Sequence, residues 1–315
     1  MDRVRRMLGC DSREALPYTG KNVYVGVLDS GVAAHPDLRG RIAAFKDFTG
    51  ARRYRGDAYY DDNGHGTHVC GILAGNGAAS RGKYRGIAYE SVLVCGKVLD
   101  RKGAGSLKNL IQGLKWILEM CDRYPIRVLN ISIEMDSEEN LNKEELLLLK
   151  RYFGLLWERG IVIVAAAGNK GPNPMTLSPI GECGTCICVG CHDGEYRSAG
   201  GKMCSEYSGR GPGKRDAMTE IVNPLKKPDI VAPGTDIVSC NYRYNIMPYV
   251  AKSGTSMSAP IVSGACALCL QKYPGLSNAQ LRRMMLNTAK DLGESWSAQG
   301  AGMIQIDEML FVPFR

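Results

Sequence analysis

The 315-residue chain predicts an α/β fold in which a central, mostly parallel sheet carries helices on both faces. Three observations lead there. Short β-branched apolar runs alternate with stretches of helical spacing, as in successive strand–helix–strand units. Asp29, Ser132 and Asn169 stand at or just past the carboxyl ends of three such runs, where open parallel sheets place their sites. Apolar residues make up 44% and charged residues 23%, enough to bury one large core without staples.

The elements follow in order. The opening stretch MDRVRRMLGCDS reads as a helix presenting Arg3, Arg5 and Arg6 to solvent. Residues 21–28 (KNVYVGVL) form a buried strand running into Asp29, Ser30 and Gly31. Residues 91–99, 127–133 and 161–167 are three further strands of the same kind, continuous apolar runs as expected for strands covered on both faces. Between them Leu107, Leu110, Ile111, Leu114, Ile117 and Leu118 recur at helical spacing after Ser106, an N-cap residue. Asn142, with Glu145 three residues on, opens a helix over LLLLKRYFGLLW. Residues 185–189 suit a core strand and 211–227 a surface loop. Residues 256–273 form a helix of small and apolar side chains, ended by Pro274 and Gly275. Ser277 and Gln280 make a capping box for a last helix, LRRMMLNTAK. No linker, composition shift or repeat divides the chain, so residues 1–315 read as a single domain.

Composition excludes several functions. The net charge of +8 is spread without a basic block, so no nucleic-acid partner is expected. No apolar stretch approaches the ~20 residues that span a bilayer, and the N-terminus has no hydrophobic signal core. The expected location is therefore cytoplasmic, or secreted if a signal and pro-segment have been removed. Twelve cysteines are present. Several sit inside apolar runs as small core residues, so free thiols are expected. The 38 glycines, roughly 12% against a usual ~7%, point to tight turns and backbone-lined clefts.

Three segments carry chemistry: VLDSGV with Asp29, NGHGTHVCG with His65 at a helix start, and GTSMSAP with Ser256 opening the small-residue helix. Acyl transfer needs a nucleophile, a base for its proton and a carboxylate that orients the base. Histidine titrates nearest neutrality and suits the shuttle. A helix start at Ser256 supplies a backbone N–H near a developing oxyanion, and Asn169, in AAAGN, adds a side-chain amide.

These segments resemble the subtilisin-like serine peptidases. So do VLDSGVAAHPDL, NGHGTHVCGILAG, KVLDRKGAGS, VLNISIE, VAAAGN, KPDIVAPG, GTSMSAPIVSGACAL and GAGMIQID, in family order over nearly the whole chain. The resemblance implies a subtilisin-like three-layer fold and a serine endopeptidase acting on proteins or peptides, without pro-domain, like the intracellular branch. It makes Asp29 the orienting acid, His65 the general base, Ser256 the nucleophile and Asn169 the oxyanion donor, with Thr255 as oxyanion support. Gly103, Ala104 and Gly105 on one side, and Ser132, Ile133 and Glu134 on the other, resemble the segments between which the family clamps an extended substrate. His68 and His35 are then structural. A peptide-processing or transpeptidating enzyme, and a catalytically silent regulatory protein, are the alternatives. Oligomeric state is not legible.

The chain departs from the family in three places. Glu134 stands at the wall of the P1 pocket (P1 being the substrate residue before the scissile bond), where relatives carry a small residue, and would favour P1 Lys or Arg. Leu177, near the pocket floor, makes the pocket shallower. No cofactor is implied for the chemistry. A structural calcium is implied for the family, using the aspartate that is Asp37 here, but the loop GNGAASRGKYRG offers no acidic ligand, which puts that site in doubt. Cys183, Cys186, Cys188 and Cys191 are spaced like metal ligands. On a strand, however, Cys186 and Cys188 share one face and Cys191 takes the other, so no metal is expected.

Overall fold

In the computed structural model, residues 1–50, 59–134, 143–198, 200–211 and 226–311 are described. A helix α1 (Asp2–Met7) precedes strand β1 (Tyr24–Asp29), which is followed by β2 (Ile42–Asp47), α2 (His65–Ala74), β3 (Val92–Lys97) and α3 (Leu107–Met120). Then come β4 (Ile126–Ile131), α4 (Lys143–Glu158), β5 (Val162–Ala166), β6 (Cys186–Cys191) and β7 (Ile230–Ala232). A hairpin, β8 (Ile237–Cys240) and β9 (Tyr249–Lys252), leads into α5 (Thr255–Lys272) and α6 (Asn278–Asn287). Two short helices, α7 (Trp296–Gln299) and α8 (Ile306–Phe311), close the described chain.

Seven strands form one sheet in the order β2-β3-β1-β4-β5-β6-β7, every pair parallel. Alternation along each strand divides the core in two. Val25, Val27, Val128, Val162 and Val164 join the cluster under α2 and α5. Leu28, Leu129, Ile131, Ile163 and Ala165 join the one under α3 and α4. This is the expected three-layer arrangement. Helix α5 is buried on all sides from Thr255 to Leu270, which is why its sequence shows small and apolar residues without an amphipathic period.

The expected strands and helices all form where they fall on described residues; Asn142 and most of the 211–227 loop lie outside them. Ser106 Oγ accepts from Asn109 N at 3.1 Å, and Ser277 closes its capping box with Gln280. Helix α6 is not the last, since α7 and α8 follow.

Two expectations are corrected. Arg5 does not face solvent: it is 6% exposed, donating to Gly86 O at 2.8 Å and pairing with Asp11 at 2.8 Å. Arg3 likewise pairs with buried Asp193 at 2.7 Å. The arginine stems pack α1 onto the body while the guanidinium groups find acceptors there. Nor are all thiols free: Cys191 and Cys204 form a disulfide with Cα atoms 5.7 Å apart. The short helical turn Cys204–Glu206 brings Cys204 back beneath the end of β6, on the face of Cys191 opposite to Cys186 and Cys188.

Candidate active site

The order of strands fixes where a site forms. The chain leaves β1 toward β2 and β3 on one side, and returns to β4 on the other. The carboxyl ends of these strands therefore flank a crevice at a switch point. Asp29 ends β1, Ser132 follows β4, and Asn169 lies three residues past β5.

Asp29 is buried, and its Oδ1 accepts from Ser30 N at 2.7 Å and from His65 Nδ1 at 2.8 Å. A carboxylate on Nδ1 fixes the tautomer with its proton there, so Nε2 carries a lone pair. His65 is the first residue of α2, and among the described residues its ring is hydrogen-bonded on the Nδ1 side alone. Gly66 must lack a side chain, because a Cβ there would stand 2.1 Å from Gly31 O. That close approach lets α2 begin directly against the Asp29 loop.

A residue not read from the sequence sets this helix. Buried Asp61 accepts from Asn63 N (3.0 Å), Gly64 N (2.8 Å), Thr67 N (2.9 Å), Thr67 Oγ1 (2.6 Å) and Ser30 Oγ (3.0 Å). It caps the first turn of α2 and favours the positive end of the helix. Ser30 Oγ in turn accepts from Gly66 N at 2.8 Å, joining the aspartate loop to the histidine helix. Lys97 is fully buried and spends its three protons on Ser30 O (2.7 Å), Leu99 O (2.7 Å) and Asp62 (2.6 Å). The signals were an aspartate four residues before a helix start, and a lone lysine ending an apolar run.

Ser256 is the second residue of α5. Helix N-termini leave their first N–H groups unpaired. Here the Thr255 N–H donates to Asn169 Oδ1 at 3.0 Å and the Met257 N–H to Gly254 O at 3.0 Å, while no described residue accepts the Ser256 N–H. Thr255 Oγ1 also donates to Asn169 Oδ1 at 3.3 Å, and accepts from Gly168 N at 3.1 Å. Since a backbone N–H must donate, Oδ1 of Asn169 faces Thr255 and Nδ2 faces away. Nδ2 donates to Glu134 Oε2 at 3.2 Å.

The two segments expected to clamp a substrate lie on either side of β1. Gly103, Ala104 and Gly105 are exposed and folded by Asp100, whose Oδ1 accepts from Lys102 N (2.8 Å) and Ala104 N (3.0 Å). Ser132 and Ile133 are buried, and Glu134 is exposed. Ser132 Oγ accepts from Asn130 Nδ2 at 2.9 Å, and Asn130 Oδ1 accepts from Ser263 Oγ of α5 at 2.9 Å. This buried chain ties the segment to the nucleophile helix. Leu177 packs with Ala167 and Cys188 beside the Gly168–Asn169 turn.

The other candidate ligands are engaged by the protein. His68 is fully buried, and its Nε2 donates toward Ile237 O (2.9 Å) and Val250 O (3.1 Å). Burial pushes its pKa down to about 3, aided by the nearby charge of Lys252, so the ring is neutral. His35 Nε2 donates to Pro248 O at 2.8 Å and its Nδ1 accepts from Asp37 N at 3.0 Å. Asp37, the residue implied for calcium, accepts from Ala79 N (2.9 Å) on one oxygen and from the Tyr249 hydroxyl (2.8 Å) on the other. Protein donors thus engage both oxygens, and the loop that packs on Asp37 offers no second carboxylate, so this donor set is a poor one for calcium. Of the spaced cysteines, Cys186 donates to Cys183 O at 3.1 Å while Cys191 is in the disulfide; they do not converge.

The Subtilase family model matches residues 20–303. Serine protease AprX of Bacillus subtilis (strain 168) is 35% identical over 94% of this chain and 67% of its own length. Subtilisin DY of Bacillus licheniformis is 32% identical over 96% of this chain and 95% of its own. Among solved structures, Sphericase superposes with a TM-score of 0.75 at 28% identity, covering 91% of this chain and 92% of that one. A second, the S41 Psychrophilic Protease, gives 0.74 at 26% identity, covering 91% and 92%.

Proposed function

The chain belongs to the subtilase family and is a serine endopeptidase, and we propose that it cuts peptide bonds through an acyl-enzyme on Ser256. The observation that carries this reading is the 2.8 Å contact between Asp29 and His65 Nδ1, which leaves Nε2 as the base. His65 takes the Ser256 hydroxyl proton as Oγ attacks the carbonyl carbon. The carbonyl oxygen gains the negative charge and is met by the Ser256 N–H and Asn169 Nδ2. His65 then gives its proton to the departing amine. Water repeats the sequence and releases the acid. Gly103, Ala104 and Gly105 pair with one edge of the extended substrate and Ser132, Ile133 and Glu134 with the other, and Leu177 limits the depth of the P1 pocket.

No cofactor enters the chemistry, and the donor set around Asp37 does not favour a structural calcium. No described helix is long and apolar enough to cross a membrane. The substrate is a protein or peptide, and the site of action is the cytoplasm, or outside the cell if a signal and pro-segment have been removed. The matched relatives are named as proteases and subtilisins, which does not favour the transpeptidating or silent readings.

The test is cleavage of a protein substrate by wild type, Ser256→Ala and His65→Ala. Each variant should lose about 10⁶-fold in kcat, a scale carried over from subtilisin. Retained cleavage in Ser256→Ala would remove the proposed nucleophile.

A further inference from the structure

The oxyanion donor has a carboxylate on it. Glu134 Oε2 accepts from Asn169 Nδ2 at 3.2 Å, and Oε1 stands 3.4 Å from the Asn169 backbone N as a longer, second contact. Gly168 has φ +94°, and a Cβ there would lie 3.6 Å from Glu134 Oε1 and 3.3 Å from Ser178 N. Glu134 is exposed, and among the described residues no Lys, Arg or His pairs with it. From the other side Thr255 holds Asn169 Oδ1, so the amide cannot turn away from the carboxylate without losing two bonds.

An oxyanion bound to the other N–H of the same Nδ2 would form about 5 Å from this carboxylate, because the two N–H bonds diverge by about 120°. Like charges that close, with water displaced by substrate, oppose the transition state. The same carboxylate is on the Ser132–Glu134 segment, where a P1 side chain passes. We propose that Glu134 is a brake on the oxyanion donor that a cationic P1 side chain releases. Lysine or arginine draws the carboxylate into an ion pair, leaving Asn169 Nδ2 to the oxyanion. Recognition of the basic residue is thereby converted into rate. The proposal rests on Asn169 being the oxyanion donor. Glu134 is a positioning residue in it, acting through Asn169.

Matched peptides differing only in P1 arginine or its neutral isostere citrulline test the idea on wild type and Glu134→Gln. Wild type should favour arginine by about tenfold or more, the scale of one charge-assisted hydrogen bond, with most of the difference in kcat. Glu134→Gln should bring the two substrates within about threefold, and raise kcat for citrulline above the wild-type value. An uncharged alkyl fluorophosphonate, which loses fluoride as Ser256 Oγ attacks phosphorus, should label Glu134→Gln faster than wild type. Equal rates for arginine and citrulline in wild type overturn the proposal. So does a Glu134→Gln effect confined to KM with unchanged citrulline kcat, which describes an ordinary charged pocket. Asn169→Ala in the same assay separates the layers. Unchanged kcat there overturns donor and brake together, whereas a large fall without the Glu134→Gln gain overturns the brake alone.

Discussion

Thr255 N donates to Asn169 Oδ1 at 3.0 Å, so the residue before the nucleophile also aims the side-chain amide. One bond thereby couples the start of α5 to the turn after β5. Asn169→Ala should lower kcat by about 10²–10³-fold, the magnitude known for the equivalent donor of subtilisin. Thr255→Val keeps the backbone N–H and loses the hydroxyl, so a fall of no more than about tenfold is expected. Steady-state kinetics on one peptide, with kcat and KM separated, check both.

Asp61 stabilises the histidine helix. Asp61→Ala strands five donors, among them the Gly64 and Thr67 N–H groups at 2.8 and 2.9 Å. The expected cost is about 3 kcal/mol or more, with a Tm several degrees lower. Asp61→Asn, which keeps an acceptor, should fall between. Thermal unfolding followed by circular dichroism gives the order.

His68 makes stability depend on acid. Its folded pKa is lowered to about 3 by burial, below the unfolded value near 6.5. Between these values the unfolded chain takes up a proton that the folded chain refuses. The contribution is thus fully present above about pH 6.5 and is lost as pH falls toward 3, on the order of a few kcal/mol. Denaturant titrations from pH 7 to 4 should show a smaller loss for His68→Gln than for wild type.

Asp37 is satisfied by protons. Calcium and a chelator should therefore give the same Tm, within the error of a thermal scan. Tyr249→Phe removes the 2.8 Å donor to Asp37 and should cost about 1–3 kcal/mol. A calcium-dependent rise in the Tm of wild type would place a cation where none is expected.

The central strands were legible because their runs are short, rich in β-branched residues and separated by stretches of helical spacing. Edge strand β2 was not. Its IAAFKD is partly or fully exposed at every residue, has no alternation, and offers only a four-residue run with two alanines. Strand β7, of three residues, is too short for a period. The motifs singled out Asp29, His65, Ser256 and Asn169, and the fold brings them to one end of the sheet. Asp61, Lys97 and Asn130 were not singled out: Asp61 and Lys97 left only weak local signals, and partners that bury them, Ser30 for both and Ser263 for Asn130, are distant in sequence. Glu134 was placed at the pocket wall, but a sequence does not say which way a carboxylate points. Arg5 was misplaced for the same reason, and the Cys191–Cys204 pair depends on a turn that periodicity does not reveal.

The most direct measurement is intact mass after fluorophosphonate treatment, with peptide mapping, on wild type and Ser256→Ala. One adduct on wild type, mapped to Ser256 and absent from the variant, is the predicted result. An adduct that survives Ser256→Ala, or none on a wild type that cleaves peptides, would contradict the assignment of Ser256 as the nucleophile.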